Sequence, residues 1–206
     1  MIAVIDYGAG NLQSVANALS WLGEPCMRAA SEREILSADA FILPGVGEFG
    51  TAMRELESRG IKEAVKMAAK SGRPFLGICL GMQLLFESSE ESPGTEGLSL
   101  IKGSSLRFDR SCGLKIPHTG WNSIKVAPKS RLFKKLPQNS HFYFVHSYYI
   151  KCAERAQASA SCSYGADFDA AAEAGNLFGC QFHPEKSGTA GLTVLRNFIN
   201  IIKGEL

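Results

Sequence analysis

The chain has 206 residues, 45% of them apolar and 20% charged, enough to bury a core as a single domain over 1–206. Its net charge of +2 is too mild for a nucleic-acid surface. No apolar run is long enough to span a membrane, and the opening MIAVIDYGAG, with no basic start and with Asp6 inside it, reads as a buried first strand and not a signal peptide.

Residues 2–6 form an apolar run that ends at Tyr7-Gly8-Ala9-Gly10-Asn11. Leu12, Val15, Ala16, Leu19 and Leu22 then recur at helical spacing, which predicts a strand, a tight turn and a helix starting near Asn11 or Ser14. Ser31 and Glu34 have capping-box spacing for a short second helix. Residues 40–43 read as the next strand, ended by Pro44-Gly45-Val46-Gly47. Helical periodicity over 51–69 breaks near Gly60, ahead of the strand that delivers Cys79. Three strands separated by helices predict parallel pairing with right-handed crossovers. Residues 88–95, polar and carrying Pro93 and Gly94, read as an exposed loop between two halves of the domain. Beyond it the chain turns strand-rich, with candidates at 114–126, 141–150 and 177–181, before an amphipathic helix over 189–202 closed by Gly204. The basic residues Lys125, Lys129, Arg131, Lys134 and Lys135 read as a solvated face. The predicted fold class is α/β: an open, mostly parallel central sheet flanked by helices, with additional antiparallel strands in the C-terminal half.

Six cysteines (Cys26, Cys79, Cys112, Cys152, Cys162, Cys180) are scattered, no two closer than ten residues, so neither a zinc knuckle nor a redox pair is present. No metal or other cofactor is expected, and a reducing cytoplasm fits. Cys79 stands apart because Gly77-Ile78-Cys79-Leu80-Gly81 breaks a strand pattern at a glycine-flanked cysteine and starts a helix pattern. That is the layout of a nucleophile elbow with a thiol in place of the serine hydroxyl. Unpaired N–H groups at a helix start favour the thiolate, whereas a cysteine taken alone fits equally as a small buried hydrophobe.

Its surroundings decide between those readings. Among His118, His141, His146 and His183, only His183 follows an apolar strand and stands in the group His183-Pro184-Glu185. Pro184 pushes His183 extended, so Glu185 projects to the same side and can orient the ring, leaving the second ring nitrogen to take the thiol proton and return it to a leaving amine. Ends of neighbouring parallel strands share one crevice, so Cys79 and His183 meet if their strands are adjacent. Attack on a carbonyl generates an oxyanion, for which the Leu80 amide and the Val46-Gly47 loop are candidate donors. The stretch Gly45-Val46-Gly47-Glu48-Phe49-Gly50 also matches a dinucleotide-binding fingerprint, although no second strand ends in an acidic residue about twenty positions on.

Taken together, Gly45-Val46-Gly47, Gly77-Ile78-Cys79-Leu80-Gly81-Met82-Gln83 and His183-Pro184-Glu185 resemble the class I glutamine amidotransferase signature in order and spacing, across nearly the whole chain. The pieces Ile5-Asp6-Tyr7-Gly8-Ala9-Gly10-Asn11-Leu12, Pro117-His118-Thr119-Gly120-Trp121-Asn122 and Phe144-Val145-His146-Ser147-Tyr148-Tyr149 narrow the resemblance to the family of imidazole glycerol phosphate synthase glutaminase subunits. It implies that Cys79 attacks the glutamine side-chain amide, that His183 protonates the leaving ammonia, that Glu185 orients His183, and that water cleaves the thioester. Gly47, Gln83, Ser147 and Tyr148 are the implied glutamine contacts, although Gln83 at i+4 also fits a helix-face residue satisfied locally. The implied partner is a (β/α)8-barrel cyclase in a heterodimer. It would use the ammonia to make imidazole glycerol phosphate and aminoimidazole carboxamide ribotide in histidine biosynthesis.

Asn11, Pro117, His118, Trp121 and Lys186 lie in or beside the family-like segments on the expected docking face, while Trp121 fits a core position as well. Three other readings stay open. They are a glutaminase of anthranilate, aminodeoxychorismate or pyridoxal phosphate synthesis, a cysteine hydrolase of related fold, and a dinucleotide-binding protein.

Overall fold

The computed structural model describes residues 1–109, 111 and 113–206, so Cys112 lies outside the described residues. Strand β1 (Ile2–Ile5) is buried along its whole length, as a continuous apolar run requires when helices cover both faces of a sheet. It pairs in parallel with β2 (Cys26–Ala29) on one side and β3 (Ala40–Gly45) on the other. β3 pairs in parallel with β4 (Phe75–Cys79), and β4 with β13 (Leu177–Cys180). Alternate strand residues feed opposite layers. Ile2, Val4, Ile42, Leu76 and Ile78 pack with α1 (Leu12–Trp21) and α6 (Gly188–Ile202), whereas Ala3, Ile5, Phe41, Leu43 and Phe75 pack with α2 (Glu32–Ser37), α3 (Phe49–Ser58) and α4 (Lys62–Lys70).

Local signals place several of these boundaries. Asn11 caps α1 by accepting from the Ser14 N–H, and Ser31 with Glu34 forms the capping box of α2. Gly60, at φ +67°, separates α3 from α4.

The sheet then turns antiparallel through β12 (Asp167–Ala174), β10 (Tyr148–Cys152) and β6 (Gly103–Arg107), with the two-residue β5 (Ser88–Ser89) parallel to β6 at the edge. β11 (Ala158–Ser163) pairs with β12 and carries β8 (Lys125–Val126). A separate antiparallel ribbon joins β7 (His118–Ser123) to β9 (His141–His146). The α/β class with a mostly parallel centre and added antiparallel strands is therefore the one observed. Among the described residues no helix is long and apolar enough to cross a membrane.

Several expectations need correction. β2 is a fourth parallel strand that escaped notice, being short and only partly buried. β3 continues through Pro44 to Gly45, because both residues still pair with β4. The stretch 141–150 is two strands in different sheets, parted at Ser147, and residues 114–117 are not strand. Residues 88–95 are more than an exposed loop: Ser89 is buried, Glu91 Oε2 accepts from the Phe49 N–H at 2.8 Å, and the Ser92 hydroxyl accepts from the Gly50 N–H at 2.9 Å, fastening the segment to the start of α3. Within the basic stretch, Arg131 lies over the Phe178 ring at 4.7 Å and pairs with Glu173, so it is not simply solvated.

Candidate active site

Cys79 ends β4 and precedes α5 (Leu80–Leu84) with φ +55° and ψ −112°, a conformation that strains any residue bearing a Cβ. Its flanking glycines answer to packing. A Cβ on Gly81 would lie 1.8 Å from the Leu43 carbonyl oxygen, and one on Gly77 would lie 2.7 Å from the Gly81 oxygen. The register sets Gly45 opposite Cys79, so the Val46-Gly47 loop leaves β3 at the level of the elbow.

β13 runs beside β4 with Cys180 opposite Ile78, which brings the following residues, Gln181 and His183, to the same sheet end. His183 is extended (φ −97°, ψ 98°), as the following proline demands. Residues Pro184–Lys186 then coil into a 3-10 turn, and this turn, in place of the extended chain expected, folds Glu185 back to the ring. Nδ1 of His183 and Oε1 of Glu185 are 2.8 Å apart, with side chains only 2% and 1% exposed. The His183 backbone is fixed as well: its N–H donates to the Tyr143 oxygen, and its carbonyl accepts from the Ser187 hydroxyl.

Nε2 of His183 has no hydrogen-bond partner among the described residues and shares one cavity with Cys79. Burial opposes the imidazolium, but the Cys79 sulfur and the Glu185 carboxylate outweigh it and raise the His183 pKa to about 10. The Cys79 thiol itself lies 3.9 Å from the Val145 carbonyl oxygen and 3.7 Å from Gln181 Nε2.

The cavity, about 240 Å³, is also lined by Val46, Gly47, Leu80, Gln83, Ser147 and Tyr148, so it gathers the expected oxyanion and substrate residues around the thiol. Gln83 is not satisfied locally on its helix: its Nε2 donates to the distant Tyr148 carbonyl and to Gln181 Oε1, each at 3.0 Å. Sequence reasoning missed three lining residues, Glu91, Val145 and His146. It also missed Gln181 and Tyr7, the latter fully buried, its hydroxyl without a hydrogen-bond partner among the described residues and its ionisation pushed up by burial and by Cys79. Glu91 is half-buried, with its pKa raised mainly by that burial. Only the Pro93–Gly94 loop texture was legible there, which hid the carboxylate.

The dinucleotide fingerprint finds no support. A pyrophosphate would need the free N–H groups at the start of α3. Those are taken by carboxylates, with Glu48 accepting from Gly50 and Thr51 at 3.0 and 2.7 Å and Glu91 from Phe49. Hydrogen bonds from Ser92 and Thr51 hold Glu48 down at about 2. Among the described residues no group of three or more His, Cys, Asp or Glu is gathered to hold a metal ion.

Of the expected docking residues, Trp121 is 57% exposed, which rules out the core position, and Pro117 and Lys186 are exposed. Asn11 is half-buried and engaged as the α1 cap. His118 is corrected: at 3% exposure its ring stacks on Tyr164 and Phe144 (centroids 3.9 and 4.8 Å), so it is enclosed and presents no surface to a partner.

A thiol on a strained strand-to-helix turn, beside a histidine oriented by a carboxylate and in an open α/β sheet, defines the class: an enzyme equipped for thiol-dependent acyl transfer. The sequence matches the glutamine amidotransferase class-I family over residues 3–202. It is 49% identical to the imidazole glycerol phosphate synthase subunit HisH of Methanosarcina barkeri, covering 97% of this chain and 98% of that one. It is 45% identical to the chloroplastic imidazole glycerol phosphate synthase hisHF of Arabidopsis thaliana, covering 97% of this chain and 34% of that protein. A solved glutamine amidotransferase superposes with a TM-score of 0.77 at 18% identity, covering 98% of this chain and all of that one, and so shares the fold. The chain belongs to the class-I glutamine amidotransferase family, in its branch of imidazole glycerol phosphate synthase HisH subunits.

Proposed function

We propose that residues 1–206 act as one glutaminase domain in which Cys79, His183 and Glu185 hydrolyse glutamine to glutamate and ammonia. The observation that carries this reading is the His183–Glu185 pair, buried and 2.8 Å apart, on the cavity that exposes the Cys79 thiol. His183 takes the thiol proton and the sulfur attacks the glutamine side-chain carbonyl carbon, forming a tetrahedral oxyanion. The Leu80 amide and the Val46-Gly47 loop supply N–H groups to that oxygen. As the C–N bond breaks, His183 returns the proton to nitrogen and ammonia leaves a thioester. Water, losing a proton to His183, then attacks the thioester, glutamate departs, and the thiol is restored. Gln83, Gly47, Ser147 and Tyr148 seat the amino-acid end of the substrate, and the Glu91 carboxylate complements its ammonium group.

Ammonia free in neutral water is mostly protonated and not nucleophilic, so its value depends on delivery to an acceptor. The M. barkeri relative is named as a subunit of a synthase, and the Arabidopsis protein extends well beyond the region this chain matches. Both support a partner. We assign that partner as a (β/α)8-barrel cyclase, joined in a cytoplasmic heterodimer, that makes imidazole glycerol phosphate and aminoimidazole carboxamide ribotide. The test is glutamine hydrolysis by this chain and by Cys79→Ala, each with and without a barrel cyclase and its nucleotide substrate. Expected are no detectable turnover from Cys79→Ala, and faster turnover by the wild-type chain with the loaded cyclase. An active Cys79→Ala overturns the mechanism; a cyclase that neither co-purifies nor receives ammonia overturns the partner.

A further inference from the structure

Gln181 is fully buried and lies just beyond the end of β13, with its backbone N–H donating to the Ala170 oxygen at 2.9 Å. The hydrogen-bond pattern fixes which way its amide points. The Tyr148 carbonyl can only accept, so the Gln83 atom 3.0 Å from it is the NH2 group. That NH2 also meets Gln181 at 3.0 Å, so the Gln181 atom there is its oxygen. The Gln181 NH2 is therefore left facing the Cys79 sulfur at 3.7 Å.

We propose that Gln181 is a further catalytic group of this site, whose side-chain N–H donates to the Cys79 sulfur and stabilises it as the thiolate. The Val145 carbonyl, 3.9 Å from the same sulfur, suits the protonated form, because it can accept from S–H but offers nothing to S⁻. Once His183 removes the proton, the Val145 contact loses its donor and the Gln181 contact strengthens, since hydrogen bonds to an ionised acceptor exceed those to a neutral one. Burial keeps water from replacing it. The inference rests on the glutaminase reading only in taking Cys79 as the nucleophile. A purely structural role, in which Gln181 merely holds Gln83 in place, is the rival.

The experiment follows iodoacetamide alkylation of the full chain against pH, read from the mass of the Cys79 peptide, for the wild type, Gln181→Met and Gln181→Glu. Methionine keeps the bulk and removes the N–H. Glutamate keeps the acceptor for Gln83 but gives the sulfur no donor and a like charge. The alkylation midpoint is expected to rise by about one pH unit in Gln181→Met and further in Gln181→Glu, and kcat for glutamine to fall about tenfold in Gln181→Met with KM within about twofold. A midpoint unmoved in folded Gln181→Met, whatever happens to activity, overturns the proposal; if that variant fails to fold, Gln181→Leu, which likewise offers neither donor nor charge, decides, because the like charge in Gln181→Glu raises the midpoint by itself. Wild-type chain that is alkylated at Cys79 yet leaves glutamine intact would count against the glutaminase reading while the alkylation midpoints still judge Gln181.

Discussion

Glu185 reaches His183 through a single short contact, and replacing its charge while keeping its shape isolates what that charge does. Glu185→Gln leaves an amide within reach of Nδ1 but no anion. We expect kcat for glutamine to fall by up to about 10⁴-fold, the loss seen when the orienting carboxylate of a serine triad is neutralised. The same change has a signature in stability. His183 titrates near 6.5 when unfolded and is raised to about 10 in the fold, so its contribution is complete below pH 6.5 and is lost as pH rises through 10. Glu185→Gln removes one of the groups that raise it, so denaturation curves of the variant are expected to show a shallower alkaline loss between those limits. Parallel curves for the two proteins would mean the carboxylate does not hold the imidazolium. At this scale the proposed triad was legible because Gly77 and Gly81 flank Cys79 two residues to either side and Pro184 lies between His183 and Glu185, marks that show in the sequence. Gln181 and Glu91 were not, since an amide after an apolar strand and an acid in a polar loop have many ordinary explanations.

The β7–β9 ribbon carries a buried histidine pair that governs its response to acid. His118 stands opposite His146, with Nδ1 of the first 3.0 Å from Nε2 of the second. The Tyr148 carbonyl, 2.8 Å from His146 Nδ1, requires that nitrogen to donate; His146 Nε2 therefore accepts from His118 Nδ1, and His118 Nε2 accepts from the Asn122 amide at 3.3 Å. Neither ring has a place for a second proton. Burial lowers His118 to about 4, and burial, outweighing the Tyr148 bond, lowers His146 to about 3. Between those values and 6.5 the unfolded chain binds protons that the folded chain refuses, so stability is complete above about pH 6.5 and falls toward pH 4. Denaturation of His146→Gln is expected to lose stability less steeply over that window, by about one proton per chain; an unchanged acid slope would refute the assignment. β7 and β9 were readable because they fall within the alternating stretches 114–126 and 141–150. β11 and β12, reading ASASCS and DFDAAAEA, were not, because alanine and serine carry no strand preference, although Ala160, Cys162, Phe168, Ala170 and Ala171 pack into the core.

At the scale of the whole molecule, β3, β4 and β13 are adjacent and parallel, so their C-terminal ends bring the Val46-Gly47 loop, Cys79 and His183 to one crevice. Chemistry argued for that meeting before topology did. The insertion of β13 between β4 and the antiparallel strands is a long-range pairing on which local pattern is silent. Near the crevice the ribbon leaves apolar surface uncovered: Trp121 is 57% exposed with its ring edge-on to Tyr143, while Val145 and Val46, at 37% and 44%, line the cavity itself. An exposed tryptophan in such a setting is the composition of a binding hot spot. A partner seated there would cover this surface and the mouth of the cavity together, so that ammonia passes into it and not into water. Trp121→Ala is expected to fold with wild-type thermal stability, because the side chain contributes little to the core. It should weaken binding of the barrel cyclase by about 30-fold, corresponding to ~2 kcal/mol for the loss of one hot-spot aromatic. Titration calorimetry of the two chains with the cyclase decides, and equal affinities would move the docking face away from this ribbon.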